Sequence, residues 1–510
     1  MLSRINSCTL LGLNGQLTKV EIDLYNGIPG ITVVGLADMS VKESKDRIRS
    51  AIKNSGIEFP DDRITVNLAP ASIKKAGSHY DMPIAVGILQ AMGAINQIPL
   101  DNMAFIGELS LNGNLNPIRG ALPLALELRK NNIKEIIVPK GNLMELAMVK
   151  DMKVYAFNTL HEVIRFLNGE LDYKDERPLI DLDKPRIYDV DFNEVCGQEY
   201  VKRAMEIGAA GGHNIMMIGP PGAGKSMMAK RFSTILPRPT YEECLEITKI
   251  YSVAGLLSDE SPIMMERPFR APHHTISNVG LVGGGSNLRP GEVSLAHYGV
   301  LFLDEFPEFK KSAIDVLRQP IEDEIITISR ASGTVTYPAS VNLILALNPC
   351  KCGYFGVDNG KCSCTPNEVR KYLSKVSGPI LDRVDMHIQI YPVEYDELND
   401  YSKNKSSSDM RVNIEKARQI QLKRYKNHNI LYNSQLSTKL MDKYCNMEDD
   451  AKYLLKNAFD KLGFSARAYT KLVKLGRTIA DLDDEEIILS SHVAEAIQYR
   501  KLDKNYWNMN

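Results

Sequence analysis

One short segment of the sequence has the residue types and the spacing that bind phosphate. Residues 219–226 read GPPGAGKS, which fits the pattern G-x-x-x-x-G-K-[ST], between an apolar run, NIMMIG, and a helix-favouring run, MMAKRFSTIL. Gly222 and Gly224 let backbone N–H groups turn toward phosphate oxygens, and the following helix adds its positive end. Lys225 can then reach the terminal phosphates, and the Ser226 hydroxyl can ligate Mg²⁺.

A pair of carboxylates further along the chain supplies the second part of such a site. Residues 299–305 read GVLFLDE, an apolar run that ends in two acids. We expect Asp304 to hold Mg²⁺ through its water shell, and Glu305 to orient the attacking water as a base. Alone, a strand ending in Asp-Glu is an ordinary solvated strand end, but together the two motifs predict ATP and Mg²⁺ as cofactors. The expected nucleotide-binding residues are Gly219, Pro220, Pro221, Gly222, Ala223, Gly224, Lys225, Ser226 and Asp304.

Half of the eight cysteines crowd into one short stretch, 350–364. Four thiolates this close together can close around a tetrahedral Zn²⁺ ion. The single-residue spacing within each pair strains the bite angle, so reduced free thiols in a surface loop remain the alternative. The candidate zinc ligands are Cys350, Cys352, Cys362 and Cys364.

The length and the charge of the chain limit what these residues can belong to. A chain of 510 residues is expected to hold about three domains of roughly 150 residues each. The net charge is -1, so a polyanionic partner would need a local basic surface. The start of the chain lacks the pattern of a signal peptide, and no run of 18 apolar residues occurs, so we expect a cytoplasmic protein without membrane contact.

The hydrophobic pattern predicts a multidomain α/β architecture. Residues 1–170 alternate β-rich runs with helical stretches, one of which has Ser40 as its expected N-cap, and residues 171–192 read as a linker rich in charge and proline. In residues 193–395 apolar strands alternate with helices, which favours a parallel sheet covered on both faces. Residues 409–505 carry only helical patterns, so the third domain is expected to be a helical bundle.

Further motifs resemble a known family. The phosphate and acidic motifs, with ALNP (346–349), LDRVD (381–385) and SARAY (465–469), are similar to the ordered motif set of AAA+ ATPases. The run RPFRAPHHTISNVGLVGGGSNLRPGEVSLAHYGVLFLDEFPEF (267–309) resembles that of magnesium-chelatase-like AAA+ ATPases of the ComM/YifB type, and the resemblance covers essentially the whole chain. It implies an AAA+ core, a C-terminal helical lid domain and a homo-oligomer, expected to be a hexameric ring.

The resemblance assigns roles to three more polar residues. Asn348 is implied as the first sensor, Arg383 as the arginine finger that acts on a neighbouring subunit's ATP, and Arg467 as the second sensor from the lid. With Glu305 they form the expected catalytic set. An amide can hold the attacking water, and a guanidinium can neutralise charge developing on the γ-phosphate. The alternative for any single arginine is a surface ion pair.

A histidine pair precedes the acidic motif, and a hairpin follows it. Residues 323–349 resemble the hairpin before the first sensor that chelatase subunits share with minichromosome maintenance helicases, which implies that its tip, near Arg330, faces the pore of a ring. An exposed arginine there could grip phosphates, or it could pair with a nearby acid such as Glu324. Adjacent histidines point in different directions, so a structural or substrate-loop role is expected for His273 and His274 rather than metal binding.

The N-terminal domain resembles an enzyme but lacks its base. Residues 107–142 are similar to the proteolytic domain of Lon-type proteases, which implies a Lon-like (ribosomal S5 domain 2-like) α/β fold. Leu122 stands where that family has its catalytic lysine, and residues 76–85 do not reproduce the G-P-S-A-G pattern, which leaves Ser78 without a defined role. We therefore expect a protease fold without peptidase activity, kept as a structural or polymer-binding platform.

Three functions compete at this point. The resemblance favours an ATP-driven ring motor on single-stranded or branched DNA, a helicase or branch-migration factor in recombination or natural transformation. Basic stretches at 401–430 and 461–480 could provide a DNA track, although such runs are usually solvated helix faces. A magnesium-chelatase-type ATPase that remodels a protein partner is the second reading, against which the N-terminal domain argues. An ATP-dependent protease would need the lysine that Leu122 replaces.

Overall fold

The chain folds into two compact units. The computed structural model describes residues 2–96, 100–182, 188–258, 260–285, 288–330, 333–356, 361–392, 404–428, 430–500 and 502. The first unit is Met1–Lys184, Tyr241–Met265 and Gly333–Thr336, and the second is Pro185–Thr240, Glu266–Ser332 and Tyr337–Asn510.

Strands and helices alternate through most of the described chain. The strands are β1 (Leu2–Leu11), β2 (Asn14–Tyr25), β3 (Gly30–Val34), β4 (Arg63–Ala69), β5 (Met103–Phe105), β6 (Glu108–Leu109), β7 (Leu115–Asn116), β8 (Glu135–Pro139), β9 (Lys153–Phe157), β10 (Ile215–Ile218), β11 (Phe269–Arg270), β12 (Gly283–Gly284), β13 (Arg289–Pro290), β14 (Val300–Leu303), β15 (Ile325–Arg330), β16 (Gly333–Pro338), β17 (Asn342–Leu347) and β18 (Met386–Gln389).

The helices are α1 (Met39–Asn54), α2 (Asp81–Ala91), α3 (Ala121–Lys130), α4 (Leu160–Leu167), α5 (Glu199–Gly211), α6 (Lys225–Ile235), α7 (Tyr241–Ala254), α8 (Asn278–Val282), α9 (Glu292–Leu295), α10 (Lys311–Val316), α11 (Arg318–Asp323), α12 (Pro366–Leu373), α13 (Gly378–Leu381), α14 (Ser407–Arg424), α15 (Thr438–Tyr444), α16 (Asp449–Leu462), α17 (Ala466–Leu482) and α18 (Ser490–Gln498). None of the helices in the described part of the chain is both long enough and apolar enough to span a bilayer.

The first unit is built on a mixed sheet with apolar cores on both faces. The strand order is β3-β4-β2-β1-β5-β8-β9, with antiparallel pairs around β2 and parallel pairs elsewhere. One apolar cluster includes side chains of α1, α2 and α4, and the other includes side chains of α3. The expected cap of α1 is wrong by two residues, because Asp38 accepts from the backbone of Val41 while Ser40 donates to Asp38.

The second unit contains the predicted parallel sheet. Its order is β11-β14-β17-β10-β18, and every pair is parallel. The three middle strands are buried along their whole length, which explains their uninterrupted apolar sequences. The core around this sheet also includes residues of the C-terminal helices, such as Leu472 and Ile479. The predicted mixed α/β class with a parallel sheet is therefore confirmed.

Two short strand pairs lie outside the five-stranded parallel sheet. β15 and β16 form a two-stranded sheet within the predicted hairpin 323–349, and β12 and β13 pair antiparallel. Residues 331 and 332 at the predicted tip lie outside the described residues, as do residues 183–187 of the predicted linker. The predicted boundary between the AAA+ core and the lid falls inside the second unit, so the domain limits stay predictions.

His79 makes the stability of the first unit depend on pH. The ring is buried, and its Nε2 lies 2.9 Å from the carbonyl oxygen of Cys8, to which it can donate. Burial lowers the pKa of His79 from its ordinary 6.5 to about 4, although the Cys8 carbonyl acts in the opposite direction. Because the unfolded chain binds the proton more readily, the contribution of His79 to stability is fully present above pH 6.5 and is lost as the pH falls toward 4.

We expect titration of His79 to lower the free energy of opening of the first unit by about 2 kcal/mol between pH 7 and pH 5, against an opposite contribution from Asp81, whose raised pKa favours the folded state on acidification. Hydrogen exchange of the β1 amides in the full chain, corrected for intrinsic exchange rates, measures this difference. His79→Gln should lose most of it, because the amide can still donate to Cys8 but does not titrate. An equal pH dependence in both proteins would contradict the assignment.

Candidate nucleotide-binding site

The phosphate-binding motif lies where the sequence places it, between β10 and α6. Gly219 is packed so closely that a Cβ there would lie 2.4 Å from the carbonyl oxygen of Ile390. Gly224 has φ +86 and comes directly before Lys225, the first residue of α6. Only glycine adopts that backbone geometry without strain, so the sequence pattern reflects both close packing and chain direction.

Lys225 is the centre of the site. Its Nζ donates to the carbonyl oxygens of Gly219 and Pro220, at 2.7 and 2.9 Å, and to Asn348 Oδ1 at 3.0 Å. Burial lowers the pKa of Lys225, while the charges of Asp304 and Glu305 raise it. All three acceptors are neutral oxygens, so a phosphate oxygen would be a stronger partner for the ammonium group than any of them.

A second contact joins the two sequence motifs. Ser226 Oγ donates to Asp304 Oδ2 at 2.6 Å, and the backbone N–H of Glu305 donates to Asp304 Oδ1 at 2.8 Å. A hydroxyl beside a carboxylate offers the oxygen ligands that Mg²⁺ prefers. The residues present therefore fit Mg²⁺ bound between the end of β14 and the start of α6.

Parallel pairing explains why these residues meet. β10 lies beside β17, and β17 lies beside β14, all running in one direction. Asp304 follows β14, Asn348 follows β17, and the phosphate loop follows β10, so all three leave the sheet at the same edge. The carboxyl edge of an open parallel sheet is the usual place for a ligand in such folds.

Glu305 lies beside His274, a neighbour that the sequence motifs did not predict. Its φ is +50, and its carboxylate Oε2 lies 3.3 Å from Nδ1 of His274. His273 turns to Thr275 instead, with Nδ1 and Oγ1 2.9 Å apart. The two histidines thus make different polar contacts, although their ring centroids lie only 4.1 Å apart, so the prediction that they point in different directions is wrong. The parallel pairing of β11 with β14, had it been known, would have put His274 near the acidic motif.

Arg383 and Arg467 lie together in a different part of the second unit. Arg383 donates to the carbonyl oxygen of Pro379 at 2.7 Å and to the carboxylate of Glu322. Arg467 Nη1 lies 3.5 Å from Asp382 Oδ2. Both arginines line one cavity of about 520 Å³, and its described lining includes none of residues 219–226. The structure brings Lys225, Ser226, Asp304 and Asn348 together, but not the two arginines with them.

The basic stretch 461–480 is largely tied up by hydrogen bonds and ion pairs. Lys471 Nζ lies 2.8 Å from Asp385 Oδ1, and Lys474 donates to the carbonyl oxygen of Ser434 at 2.7 Å. Arg477 is fully buried and pairs with Asp481. Lys471, Lys474 and Arg477 therefore hold the helices in place, whereas the Arg467 side chain is largely exposed.

The four clustered cysteines converge on one point. Their sulfur atoms all lie within 4.8 Å of one another, and Cys352 Sγ lies 3.3 Å from Cys350 and 3.7 Å from Cys362. Zinc–sulfur bonds of about 2.3 Å in a tetrahedron separate the sulfurs by about 3.8 Å, so the set is compatible with a structural Zn²⁺. The loop packs on the nucleotide site, since a Cβ on Gly353 would lie 2.6 Å from Pro221 Cδ.

The residues that a Lon-type protease would use carry structural contacts in the first unit. Ser78 Oγ donates to a carboxylate oxygen of Glu108, and Leu122 is buried in α3. Asp81, at the start of α2, accepts from Arg47 at 2.8 and 3.1 Å. Burial raises the pKa of Asp81 to about 6, although Arg47 opposes this shift. Neither the contact of Ser78 nor the buried Leu122 supplies the amine that would activate a serine.

Three known protein families match different parts of the chain. The family described as Magnesium chelatase, subunit ChlI, matches residues 191–398. Subunit ChlI of Mg-chelatase matches residues 20–142, and Magnesium chelatase, subunit ChlI C-terminal, matches residues 404–500.

Individual relatives extend this likeness over nearly the whole chain. Competence protein ComM of Haemophilus influenzae is 39% identical over 511 residues, 98% of each chain. Uncharacterized protein YifB of Escherichia coli is 40% identical over 504 residues, which cover 99% of this chain and 98% of the relative. Lon protease 2 of Bacillus subtilis is 27% identical over 179 residues, 31% of this chain and 32% of that protein.

Substitutions of Lys225 and of Glu305 should impair different steps, ATP binding in the first case and ATP hydrolysis in the second. We expect Lys225→Ala to weaken ATP binding by roughly 100-fold, because a charge-assisted contact with phosphate is lost. Glu305→Gln should bind ATP with unchanged affinity and lower kcat by at least about 100-fold, because only the base is removed. Titration with a fluorescent ATP analogue and phosphate-release assays measure the two effects.

The exposed Lys230 on the same helix gives the matched control, and Lys230→Ala should leave both quantities unchanged. Equal losses of ATP affinity in Lys225→Ala and Glu305→Gln would contradict the division of roles.

Proposed function

Because the chain belongs to the ComM/YifB-type magnesium-chelatase-like family of AAA+ proteins, which indicates an ATPase that uses ATP and Mg²⁺, we propose that it is an ATP-hydrolysing ring motor acting on DNA. The observation that carries the ATPase part is the contact of Lys225 with Asn348 beside that of Ser226 with Asp304. The DNA part is supported by the name of the Haemophilus influenzae relative, Competence protein ComM, and by the motif resemblance. The substrate is single-stranded or branched DNA, in recombination or natural transformation.

The described contacts suggest how the nucleotide site works. Lys225 exchanges its neutral oxygen partners for the terminal phosphates of ATP, and Asn348, released from Lys225, orients the attacking water. Ser226 and Asp304 would hold Mg²⁺, and the ion, when bound, would neutralise charge on the phosphates. Glu305 accepts the proton of the attacking water.

The two arginines act on the ATP of a neighbouring copy. Arg383 and Arg467 share a cavity whose described lining lacks the phosphate loop of their own chain. In the free chain their charges are satisfied by Glu322 and Asp382. We therefore assign Arg467, like Arg383, to action in trans within a homo-oligomeric ring, with the γ-phosphate of the neighbour replacing these carboxylates.

The β15–β16 hairpin supplies the contact with DNA. Arg330 is exposed at the end of β15. The acid that could have paired with it is engaged elsewhere, because both carboxylate oxygens of Glu324 accept from Gln435, at 2.7 and 2.9 Å. The exposure of Arg330 and the engagement of Glu324 elsewhere support a role of Arg330 in contacting backbone phosphates without sequence preference.

The remaining parts of the chain serve this motor as supports. The four cysteines would hold Zn²⁺, and the bound ion would stiffen the loop that joins Asn348 to the packing contact between Gly353 and Pro221. The first unit includes a Lon-like platform without peptidase activity, in which Leu122 replaces the lysine base. The helices of residues 409–505 form the lid.

A second candidate is an ATPase of the magnesium-chelatase type that remodels a protein partner. The printed names of the three family matches favour it. Under this alternative, ATP hydrolysis would respond to a protein partner and stay indifferent to DNA. The same assay therefore separates the two functions.

We expect single-stranded or branched DNA to stimulate the ATPase several-fold, and Arg330→Ala to remove most of this stimulation while basal hydrolysis stays intact. Loss of one phosphate contact should also flatten the dependence of log affinity on log salt by about one unit. ATPase rates and DNA titrations at several salt concentrations measure both effects. Lys42→Ala, an exposed change in the first unit, is the control. Unchanged stimulation and an unchanged slope would rule out the hairpin as the DNA contact.

Mixing experiments test the assignment in trans. Arg383→Ala should bind ATP but not hydrolyse it, and Arg467→Ala should fail in the same way. Mixed with Glu305→Gln, either variant should regain part of the wild-type turnover, up to roughly a quarter at equal amounts if subunits assemble at random, because some interfaces then pair an intact arginine with an intact Glu305. Phosphate release at a series of mixing ratios measures this. No recovery at any ratio would show that the arginines do not act in trans.

A further inference from the structure

We infer that Glu324 and Gln435 are positioning residues that tie the base of the β15–β16 hairpin to the C-terminal helices, so that the hairpin responds to the ATP of a neighbouring copy. The inference rests on the proposed function, in which the hairpin contacts DNA and Arg383 and Arg467 act in trans. The observation that carries it is the latch, the pair of hydrogen bonds from Gln435 Nε2 to Oε1 and Oε2 of Glu324, at 2.9 and 2.7 Å.

The amide group of Gln435 is held at both ends. Its Oε1 accepts from the backbone N–H groups of Leu431 and Tyr432, at 2.7 and 3.2 Å, while its Nε2 donates to Glu324. These bonds fix which end of the amide is the donor, because only its oxygen can accept from two N–H groups. Gln435 therefore directs its donor at a carboxylate that lies 111 residues away along the chain.

Glu324 stands where the chain turns from α11 into β15. Its φ is +55, a conformation that glycine or asparagine adopts with less strain than glutamate. Its backbone N–H donates to the carbonyl oxygen of Pro320 at 3.0 Å, and its own carbonyl oxygen accepts from the backbone N–H of Ala339, just after β16, at 2.7 Å. A glutamate in this backbone conformation indicates that its side chain is needed there, and the latch uses both of its carboxylate oxygens.

One path of contacts joins the latch to Arg467. Arg467 and Lys474 lie two turns apart on α17, so they share one side of that helix. Lys474 Nζ donates to the carbonyl oxygen of Ser434 at 2.7 Å, and Ser434 directly precedes Gln435. A shift of α17 is thereby passed to Gln435 through a hydrogen bond and a peptide unit.

A second path joins the latch to Arg383. The guanidinium of Arg383 donates to the carboxylate of Glu322, which lies in α11 just ahead of Glu324. Both arginines, Glu322 and the latch line the same cavity of about 520 Å³. When a neighbour's γ-phosphate takes the arginines from their carboxylates, both paths change at this cavity. The base of the hairpin is therefore where the two paths meet.

The strand β15 carries the effect from the latch to the proposed DNA contact. Ile325 follows Glu324 directly, and Arg330 is the last residue of the strand. A strand of this length extends about 20 Å, so a rotation at Glu324 moves Arg330 much farther than it moves Ile325. The position of Arg330 thus depends on the ATP that the neighbouring copy holds.

Exchanging the two side chains tests the latch. Gln435→Glu removes the donor and brings two carboxylates together, so it should break the latch. The double variant Glu324→Gln with Gln435→Glu restores one donor and one carboxylate in the opposite order, and a carboxylate at position 435 can still accept from the backbone of Leu431 and Tyr432. Gln419→Glu, the same change at an exposed position of α14, is the matched control and should behave as the wild type.

Hydrogen exchange of the β15 amides in the full chain measures the response to nucleotide without DNA. In the wild type, we expect Mg²⁺ and a non-hydrolysable ATP analogue to change these exchange rates by about threefold or more. Gln435→Glu should lose this response, and the double variant should regain it. Arg467→Ala should lose the response too, because the neighbour's ATP then has no contact with α17.

Four results would overturn the inference. They are no response in the wild type, a response that survives in folded Gln435→Glu, a response that survives in Arg467→Ala, and a folded double variant that does not regain it. Thermal melting shows which variants are folded. If Gln435→Glu is unfolded, Glu324→Gly takes its place, because glycine removes the carboxylate and relieves the backbone strain.

Stimulation of the ATPase by branched DNA separates this inference from the DNA function. Gln435→Glu should keep basal hydrolysis within about twofold of the wild type and lose most of the stimulation, and the double variant should regain it. Full stimulation of folded Gln435→Glu would overturn the inference. A wild-type enzyme that DNA does not stimulate would refute the DNA function, while hydrogen exchange would still decide the role of the latch.

Discussion

The buried ammonium group of Lys225 is the interaction on which the rest of the site depends. It is removed from water and satisfied by three neutral oxygens, two from the phosphate loop and one from Asn348. Burying a charge is costly unless it is paired, so this group favours any arrangement that brings phosphate to it. The parallel sheet provides the geometry, because neighbouring strands release Asn348 and Asp304 at the edge where the loop turns.

Other charged side chains of the second unit also have partners within their own chain. Arg383 and Arg467 are held by carboxylates in their own chain, and Glu305 is held by His274. Under the proposed function, the phosphates of a neighbouring copy's ATP would replace the carboxylate partners of the two arginines.

The sequence alone predicts the motifs of the nucleotide site and the strands and helices that carry them well, but it predicts the partners of the charged side chains poorly. The motif 219–226, the buried strand before Asp304 and the cysteine spacing are local patterns, and the structure brings the residues of each pattern together. The partners of Arg383, Arg467 and Glu305 come from distant segments, so no local spacing reveals them. In the basic stretch 461–480, the carboxylate partners of Lys471 and Arg477 are likewise invisible in the local pattern of charge.

The central claim is that Lys225 exchanges neutral oxygens for phosphate while a neighbouring copy completes the site. A cryo-electron microscopy structure of the full chain with Mg²⁺, a non-hydrolysable ATP analogue and branched DNA tests it most directly. We predict a ring in which Lys225 contacts the terminal phosphates and Ser226 and Asp304 flank the metal. In this ring, Arg383 of each copy reaches the γ-phosphate of the next copy. Nucleotide bound with Lys225 still on its carbonyl oxygens, or with Arg383 turned away from every phosphate, would contradict it.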